Sequence, residues 1–205
     1  MTIIMQTVKL VSTRDAEVGH SQAEKAASRE RILAAASAQI RAEGLESLSV
    51  GKLMADAGLT HGGFYGHFAS RDDLLVQALE RALADGSSAA REAAADPGRP
   101  RGMAGFVRGY LSRSHRDAPE KGCAIGALVS DVGRAGEACR DAMSARIEGY
   151  IADMAAGLGG DEAKAMAAVS AMVGALALSR VMTDPKRSDA ILRAAREAVL
   201  AMDRV

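Results

Sequence analysis

A tight turn between two short segments constrains the fold of this chain more than any other feature. Gly58 can end the first segment, and Thr60 can cap the second only two residues later. The first segment, which Ser49 can cap, places four apolar residues on one helical face: Val50, Leu53, Met54 and Ala57. The second runs through Phe64 and Phe68, which are four residues apart. The pattern predicts a helix-turn-helix from Ser49 to Phe68.

The rest of the chain also favours helix over strand, because it is rich in Ala and has only four Pro among 205 residues. The expected fold is all-α. Candidate capping boxes at Ser21–Glu24 and Ser70–Asp73 and the helix breakers at 97–100 suggest three regions. These are a flexible N-terminal arm (1–20), a helix-turn-helix domain with a linker helix at 70–86 (21–86), and a helical C-terminal domain (101–205). Within the last region, helices are expected at about 101–116, 121–134, 137–157, 161–182 and 188–203.

The overall charge and the cysteines limit the classes of function. The formal net charge is zero, and residues 25–86 carry seven Lys/Arg against eight Asp/Glu, so bulk charge does not indicate nucleic-acid binding. Cys123 and Cys139 form no CxxC pair, so no metal site and no cofactor are expected. Neither a signal peptide nor a run of about 18 apolar residues is apparent, which favours a soluble cytoplasmic protein with no membrane partner.

The helix-turn-helix offers a compact set of candidate contacts to double-stranded DNA. The start of its last helix would face the major groove, with hydrogen-bonding groups on Thr60 and His61. Glycines at 62 and 63 would let the backbone approach closely, whereas Phe64 and Phe68 are expected in the core. Tyr65 and His67 can donate to phosphates, and Arg71 sits at the start of the next helix. The candidate DNA-binding residues are Ser49, Lys52, Thr60, His61, Gly62, Gly63, Tyr65, His67 and Arg71. Lys52 and Arg29 also fit as ordinary solvated residues.

These residues resemble the TetR/AcrR family of bacterial regulators. The resemblance covers about residues 25–80 and rests on three runs: Arg-Ile-Leu-Ala-Ala-Ala from Arg31, Gly-Leu-Glu-Ser-Leu-Ser-Val from Gly44, and Leu53 through His-Gly-Gly-Phe-Tyr-Gly-His-Phe-Ala-Ser-Arg-Asp-Asp-Leu-Leu. It implies a phosphate contact at Tyr65 and a basic residue opening the following helix at Arg71. It also implies a repressor that leaves a palindromic operator when a small-molecule effector binds.

The C-terminal segments predict a helical hairpin that could pair with a second copy. Small residues at 167, 171, 174, 175 and 177 allow close helix packing, and two hairpins could form a four-helix bundle. Members of the resembled family pair in a similar way, although an intrachain core would give the same pattern. The candidate homodimer residues are Met166, Val169, Val173, Leu176, Ile191, Leu192, Ala195, Val199 and Met202.

By the same resemblance, the middle helices would enclose an effector pocket, although each candidate also fits a plain core. The candidates are Met103, Phe106, Tyr110, Cys123, Leu128, Met143, Ile147 and Tyr150. Cys123 lies at an expected helix start beside Lys121, so a thiol-based redox or electrophile sensor is a second interpretation, against that of a small buried residue. His115, between two arginines, is expected on the surface.

Two other classes of function compete with a regulator. An enzyme is disfavoured because the chain has no GxSxG, no HExxH and no phosphate-binding glycine loop. A helical interaction protein that does not bind DNA would explain the Ala-rich segments. It would leave the run from Thr60 to Phe68 unexplained.

Overall fold

The computed structural model describes residues 12–95 and 102–204, and within these ranges every regular element is helical. The α-helices are α1 (Ser12–Glu43), α2 (Val50–Asp56), α3 (Arg71–Ala95), α4 (Gly102–Tyr110), α5 (Arg113–Asp117), α6 (Ala124–Val132), α7 (Glu137–Gly157), α8 (Glu162–Val181) and α9 (Pro185–Ala201). Short 3₁₀ helices occupy Leu45–Ser47, His61–Gly66, Pro119–Lys121 and Met202–Arg204. The all-α prediction is confirmed.

The first helix corrects the expected N-terminal boundary. α1 begins at Ser12, so residues 12–20 of the expected arm are helical and the Ser21–Glu24 pair lies inside a helix rather than capping one. No proline interrupts this stretch, and a serine inside a helix does not stop it. Residues 1–11 of the expected arm lie outside the described residues.

The linker helix is longer than expected. α3 runs to Ala95 instead of ending near Gly86. A glycine inside a helix weakens it by about 1 kcal/mol but does not end it. At Gly86 a Cβ would lie 3.6 Å from the Cα of Cys123, so this glycine sits where α3 meets the start of α6. The expected breakers at 97–100 lie outside the described residues.

Two capping residues explain further boundaries in the C-terminal domain. The expected helix 101–116 is divided into α4 and α5, because the Ser112 side chain accepts from the backbone N–H of His115 (3.2 Å) and starts a new helix. α9 begins at Pro185 rather than at 188, with Asp184 accepting from the Lys186 N–H at 2.9 Å. Proline suits a first helical position, since that N–H needs no intrahelical partner.

The two domains share one hydrophobic core. α1 packs on α3 and on the 3₁₀ turn at 119–121, while α3 also packs on α4, α6 and α7. Between the domains, Asp131 at the end of α6 accepts from the Leu45 N–H at 3.2 Å. Gly44 beside it has φ +87°, and a Cβ there would lie 2.7 Å from the same carboxylate oxygen. The helix-turn-helix domain is therefore anchored to α6 where the chain turns out of α1.

Helix α8 is the described helix that comes nearest to a membrane span, although its longest uncharged run, 165–179, is shorter than 18 residues. By length and composition it could cross a membrane, with a mean hydropathy of 1.4. In the structure it packs against α7 and α9 and buries Val169, Met172 and Leu176. A core helix has the same composition, so its packing explains α8 without a membrane.

Candidate nucleic-acid interface

Two capped helices and a tight turn form the predicted helix-turn-helix. The Ser49 hydroxyl accepts from the Lys52 N–H (3.4 Å) at the start of α2, and the Thr60 hydroxyl accepts from the Gly63 N–H (3.3 Å) at the start of the next helix. Gly58 turns the chain between them with φ +72°, a conformation that suits glycine. Both predicted caps are confirmed.

The helix that follows the turn differs from the expected one. It is a 3₁₀ helix confined to His61–Gly66, whereas the sequence suggested a helix through Phe68. Three of its six residues are glycines, at 62, 63 and 66, and glycine is a poor helix former. The predicted recognition helix is thus one short, tightly wound element with little side-chain bulk.

Two phenylalanines hold this 3₁₀ helix on the domain core, as predicted. Phe64 and Phe68 are 3% and 2% exposed, and their ring centroids lie 5.6 Å apart in a stacked arrangement. The Arg29 guanidinium lies over the Phe68 ring, 5.2 Å from its centroid, and Arg29 also donates to Gln77. Arg29 therefore packs within the domain rather than projecting freely into solvent.

Most of the candidate contacts share one exposed surface. Tyr65 is 72% exposed although it lies between a buried phenylalanine and a glycine. The residues on this surface, here called the reading surface, are Ser49, Lys52, Thr60, His61, Gly62 and Tyr65, all exposed, with Gly63 half-buried behind them. A Cβ on Gly51 would lie 4.0 Å from the His61 Nδ1, so the starts of α2 and of the 3₁₀ helix are adjacent. The fold thus brings together hydroxyl, imidazole, ammonium and phenol groups.

His67 and Arg71 are less free than the sequence suggested. The Nδ1 of His67 is buried without a hydrogen-bond partner among the described residues, and its ring lies beside Phe68. Burial, and then the charges of Lys25 and Arg29, lower the His67 pKa, which favours the neutral ring. The Arg71 Nε donates to the Leu48 carbonyl at 3.3 Å, which ties α3 to the loop before α2.

The start of α3 already uses acceptors from its own chain. The Ser70 hydroxyl accepts from the Asp73 N–H (3.0 Å), and the Asp73 carboxylate accepts from the Ala69 N–H (2.9 Å). The first bond confirms Ser70 as the cap of α3, but the Asp73 carboxylate accepts from Ala69 rather than from the Ser70 N–H, so only half of the predicted box forms. The bond from Ala69 is the main cause of a lowered Asp73 pKa. A phosphate beside Arg71 would therefore find the Asp73 amide already bonded.

The middle helices gather the aromatic residues of the C-terminal domain into one cluster. Phe106 packs edge-on against Tyr150 with centroids 5.5 Å apart, and Tyr110 lies 6.0 Å from Phe106 and 4.7 Å from His115. We call Phe106, Tyr110, His115 and Tyr150 the aromatic cluster. Of the other candidate pocket residues, Leu128 and Met143 are buried and Met103, Cys123 and Ile147 are half-buried.

His115 is not a surface residue, contrary to the sequence-based expectation. Its Nε2 accepts from the Cys123 N–H (2.9 Å), so its Nδ1 carries the proton and donates to the Tyr110 carbonyl (2.7 Å). Burial lowers the His115 pKa. The flanking arginines concealed this role, although only Arg113 is exposed: the Arg116 side chain is largely buried as well.

Polar groups at the start of α6 complete the cluster. Cys123 is the N-cap residue of α6, as predicted, and is half-buried. The Tyr110 hydroxyl is buried and makes no hydrogen bond to the described residues. Burial first, and then the adjacent Cys123 thiol, raise the pKa of Tyr110 and of Tyr150 above the ordinary value. Cys139 is separately buried in α7, and burial raises its pKa.

Four of the nine candidate dimer residues belong to the core of this chain. Val169, Leu176, Leu192 and Val199 are buried within it, so a second copy cannot bury them further. Within the predicted stripe of α8, Val169 and Leu176 face this chain's own core, whereas Met166 is exposed and Val173 is half-buried. Large apolar side chains exposed at these helices include Met166, Leu178 (61% exposed), Val181 (77%) and Met182, and of these only Met166 was predicted. Val173, Ile191, Ala195 and Met202 are half-buried.

Comparisons with known proteins agree with this arrangement. Residues 32–78 match the model of the bacterial regulatory proteins of the tetR family. No curated protein matches the chain in sequence. Solved structures that resemble it include reduced NemR from E. coli, with 21% identity, a TM-score of 0.68, and 84% of this chain and 94% of that chain covered.

Two further regulators have the same fold. A TetR regulator from Chloroflexus aurantiacus is 20% identical with a TM-score of 0.71, covering 87% of this chain and 94% of its own. One from Cytophaga hutchinsonii is 15% identical with a TM-score of 0.73, covering 87% and 96%. The helix-turn-helix domain is thus matched in sequence to the tetR family of bacterial regulatory proteins, and the chain as a whole has the fold of solved TetR-family regulators.

Proposed function

We propose that this protein is a repressor that binds a palindromic operator as a homodimer and leaves it when a small molecule binds the C-terminal domain. The observation that carries the proposal is the reading surface, where Tyr65 is 72% exposed beside Thr60 and His61. A large exposed aromatic side chain on a glycine-rich helix suits close contact with a DNA backbone. The protein acts in the cytoplasm and has no enzymatic activity.

A second copy is proposed to pack on the outer face of α8 and α9. Leu178, Val181 and Met182 form an exposed apolar patch at the end of α8, where water contact is unfavourable. Two-fold pairing would place two reading surfaces on the two halves of a palindrome. Light scattering at micromolar concentration tests this, and a monomer there would rule out the homodimer.

Mobility shift with the DNA upstream of the protein's own gene tests operator binding. We expect a discrete complex that specific competitor removes better than random DNA, and an affinity that falls as salt rises. If every duplex competes equally, the protein is instead a helical interaction protein with no operator.

The effector is proposed to bind beside the aromatic cluster, where the Tyr110 hydroxyl offers an unused hydrogen bond. A Tyr110→Phe variant should bind operator normally but respond less to an effector identified by screening. An unchanged response in this variant would move the effector site elsewhere.

A thiol sensor is a second candidate function, favoured by the position of Cys123 at the start of α6 between two tyrosine hydroxyls. The similar NemR structure is of a reduced form. Hydrogen peroxide would oxidise the Cys123 thiol to a sulfenic acid and be reduced to water. Peroxide should then release operator from the wild type but not from Cys123→Ser. Equal release from both would exclude this function.

A further inference from the structure

An open cleft of about 640 Å³ lies between the two domains, apart from the reading surface and next to the aromatic cluster, whose His115 carbonyl accepts from Arg180. It is bordered by the end of α1, the turn before α6, α6 itself and the α8–α9 corner. Three guanidinium groups line it, those of Arg41, Arg116 and Arg180, against one carboxylate, that of Asp117.

Arg41 is a poorly compensated cation. It is 8% exposed, and its Nε makes no hydrogen bond to the described residues. Its remaining contacts are long: 3.4 Å from Nη1 to the Ala82 carbonyl and 3.5 Å from Nη2 to Asp85. Asp85 also accepts from the Arg81 Nε at 2.7 Å, so its charge is shared. Leaving a buried charge with so few partners is unfavourable unless another group compensates it.

Within the described part of the chain, Arg180 in α8 lacks a paired carboxylate. It donates to the main-chain carbonyls of Arg116 (3.2 Å) and His115 (3.1 Å), and among the described residues no carboxylate lies within ion-pair distance of it. Glu120 acts on both Arg41 and Arg180 only at longer range. Burial lowers the pKa of both arginines.

Arg116, by contrast, is satisfied. It pairs with Asp117 at 2.6 Å and with Asp189 at 3.0 Å, and also donates to Ser188. The unmet positive charge of the cleft therefore resides on Arg41 and Arg180, one from each domain.

We propose that this cleft binds a small molecule through an oxyanion group, a phosphate or a carboxylate, held between Arg180 and Arg41. Guanidinium groups bind such oxyanions with two parallel hydrogen bonds, and a partly dehydrated cleft strengthens the attraction. The bound group would bridge the helix-turn-helix domain and the C-terminal domain. The proposal does not depend on any assigned DNA contact.

Calorimetry and thermal unfolding of the full chain with potassium phosphate test the site, with potassium chloride holding the ionic strength constant. We expect saturable binding and a raised Tm at concentrations up to about 10 mM. A parallel titration with sodium acetate gives the Kd of a carboxylate. The anion with the lower Kd identifies the group that the cleft prefers.

The first pair of variants removes the charge. Arg180→Gln should weaken phosphate binding about tenfold or more. Arg140→Gln is the matched control, since Arg140 also donates to a main-chain carbonyl, that of Ala135 at 2.8 Å, but lies on the exposed surface. Arg140→Gln should bind like the wild type.

The second pair leaves every arginine in place, so it remains informative if Arg180→Gln folds poorly. Ala127 lines the cleft, and Ala127→Glu should supply a competing carboxylate and abolish phosphate binding. Val129→Glu, on the exposed side of the same helix, is its control and should bind normally.

Three results would overturn the proposal: no saturable phosphate binding, wild-type binding in both Arg180→Gln and Ala127→Glu, or loss of binding in Lys52→Ala. The last would place the anion on the reading surface. Tyr65→Ala, expected to lose operator binding, should keep phosphate binding, so failure of the DNA proposal and of this one are distinguishable.

Discussion

The reading surface and the aromatic cluster use the same kind of side chain in opposite ways. Tyr65 is 72% exposed, whereas Tyr110 is 5% exposed and its hydroxyl is buried. Around Tyr65 the polar groups come from one short stretch of chain and face solvent. Around Tyr110 they come from four helices or turns and face one another. The first region can therefore change its contacts at little cost in stability, while the second cannot.

Adjacent residues on the 3₁₀ helix give the largest contrast. Phe64→Ala should lower the free energy of unfolding by about 3–5 kcal/mol, because it removes a buried ring from the domain core. Tyr65→Ala should change that free energy by no more than about 0.5 kcal/mol yet abolish operator binding. Urea unfolding and mobility shift on both variants check this. Normal operator affinity in Tyr65→Ala would remove Tyr65 from the contact set.

A substitution at Gly126 in α6 tests how tightly the aromatic cluster is packed. A Cβ there would lie 2.8 Å from Leu176 Cδ2 and 3.1 Å from the Tyr110 hydroxyl. Gly126→Ala should destabilise the protein by about 1–3 kcal/mol through overpacking, although alanine favours helix. Gly62→Ala, with nothing within 4 Å of its Cβ, is the control. Equal unfolding midpoints for the two variants would mean that the aromatic cluster can accommodate an added methyl group at position 126.

The hydrogen bond from the Leu45 N–H to Asp131 joins the helix-turn-helix domain to the C-terminal domain. Breaking it tests whether the reading surface and the aromatic cluster behave independently. Asp131→Ala should cost about 1 kcal/mol of stability and reduce the difference in operator affinity with and without effector. Arg134→Ala, which removes only the exposed partner of Asp131, should do neither. Unchanged effector response in Asp131→Ala would show that the domains communicate by another route.

The smallest expected effect is a pH dependence from His115. Its pKa is lowered in the folded protein from an ordinary value of 6.5, so the unfolded chain binds a proton more readily. The stability that it contributes is complete above about pH 6.5 and is lost as the pH falls through the folded-state pKa. Protonation would also place an N–H against the Cys123 N–H.

Urea unfolding at about pH 7.5 and about pH 5.5 measures this loss, and His115→Gln should reduce it. His67 also has a lowered pKa and remains in both proteins, so only the difference between wild type and variant reports on His115. An identical pH dependence in the two would contradict the buried neutral imidazole.

The sequence was sufficient for the helix-turn-helix because its determinants are local. Three helices are capped by side chains that accept from the N–H three positions later, those of Ser49, Thr60 and Ser70. The four-residue spacing of Phe64 and Phe68 places both rings on the domain core. The 3₁₀ geometry was missed because glycine weakens a helix without specifying its winding. His115, the inner face of α8 and the arginine cleft were missed because their contacts join residues far apart in the chain, and periodicity does not say which face meets which neighbour.

The glycines of the 3₁₀ helix have a consequence for how this regulator can diverge. Gly62 and Gly66 have no neighbouring atom within 4 Å of the point that a Cβ would occupy, and neither adopts a positive φ angle, so a β-carbon can be added at either position without strain. A single codon change can thus add a group beside Tyr65 while the fold is retained. Copies of such a gene could acquire new target sequences one substitution at a time, without passing through an unstable intermediate.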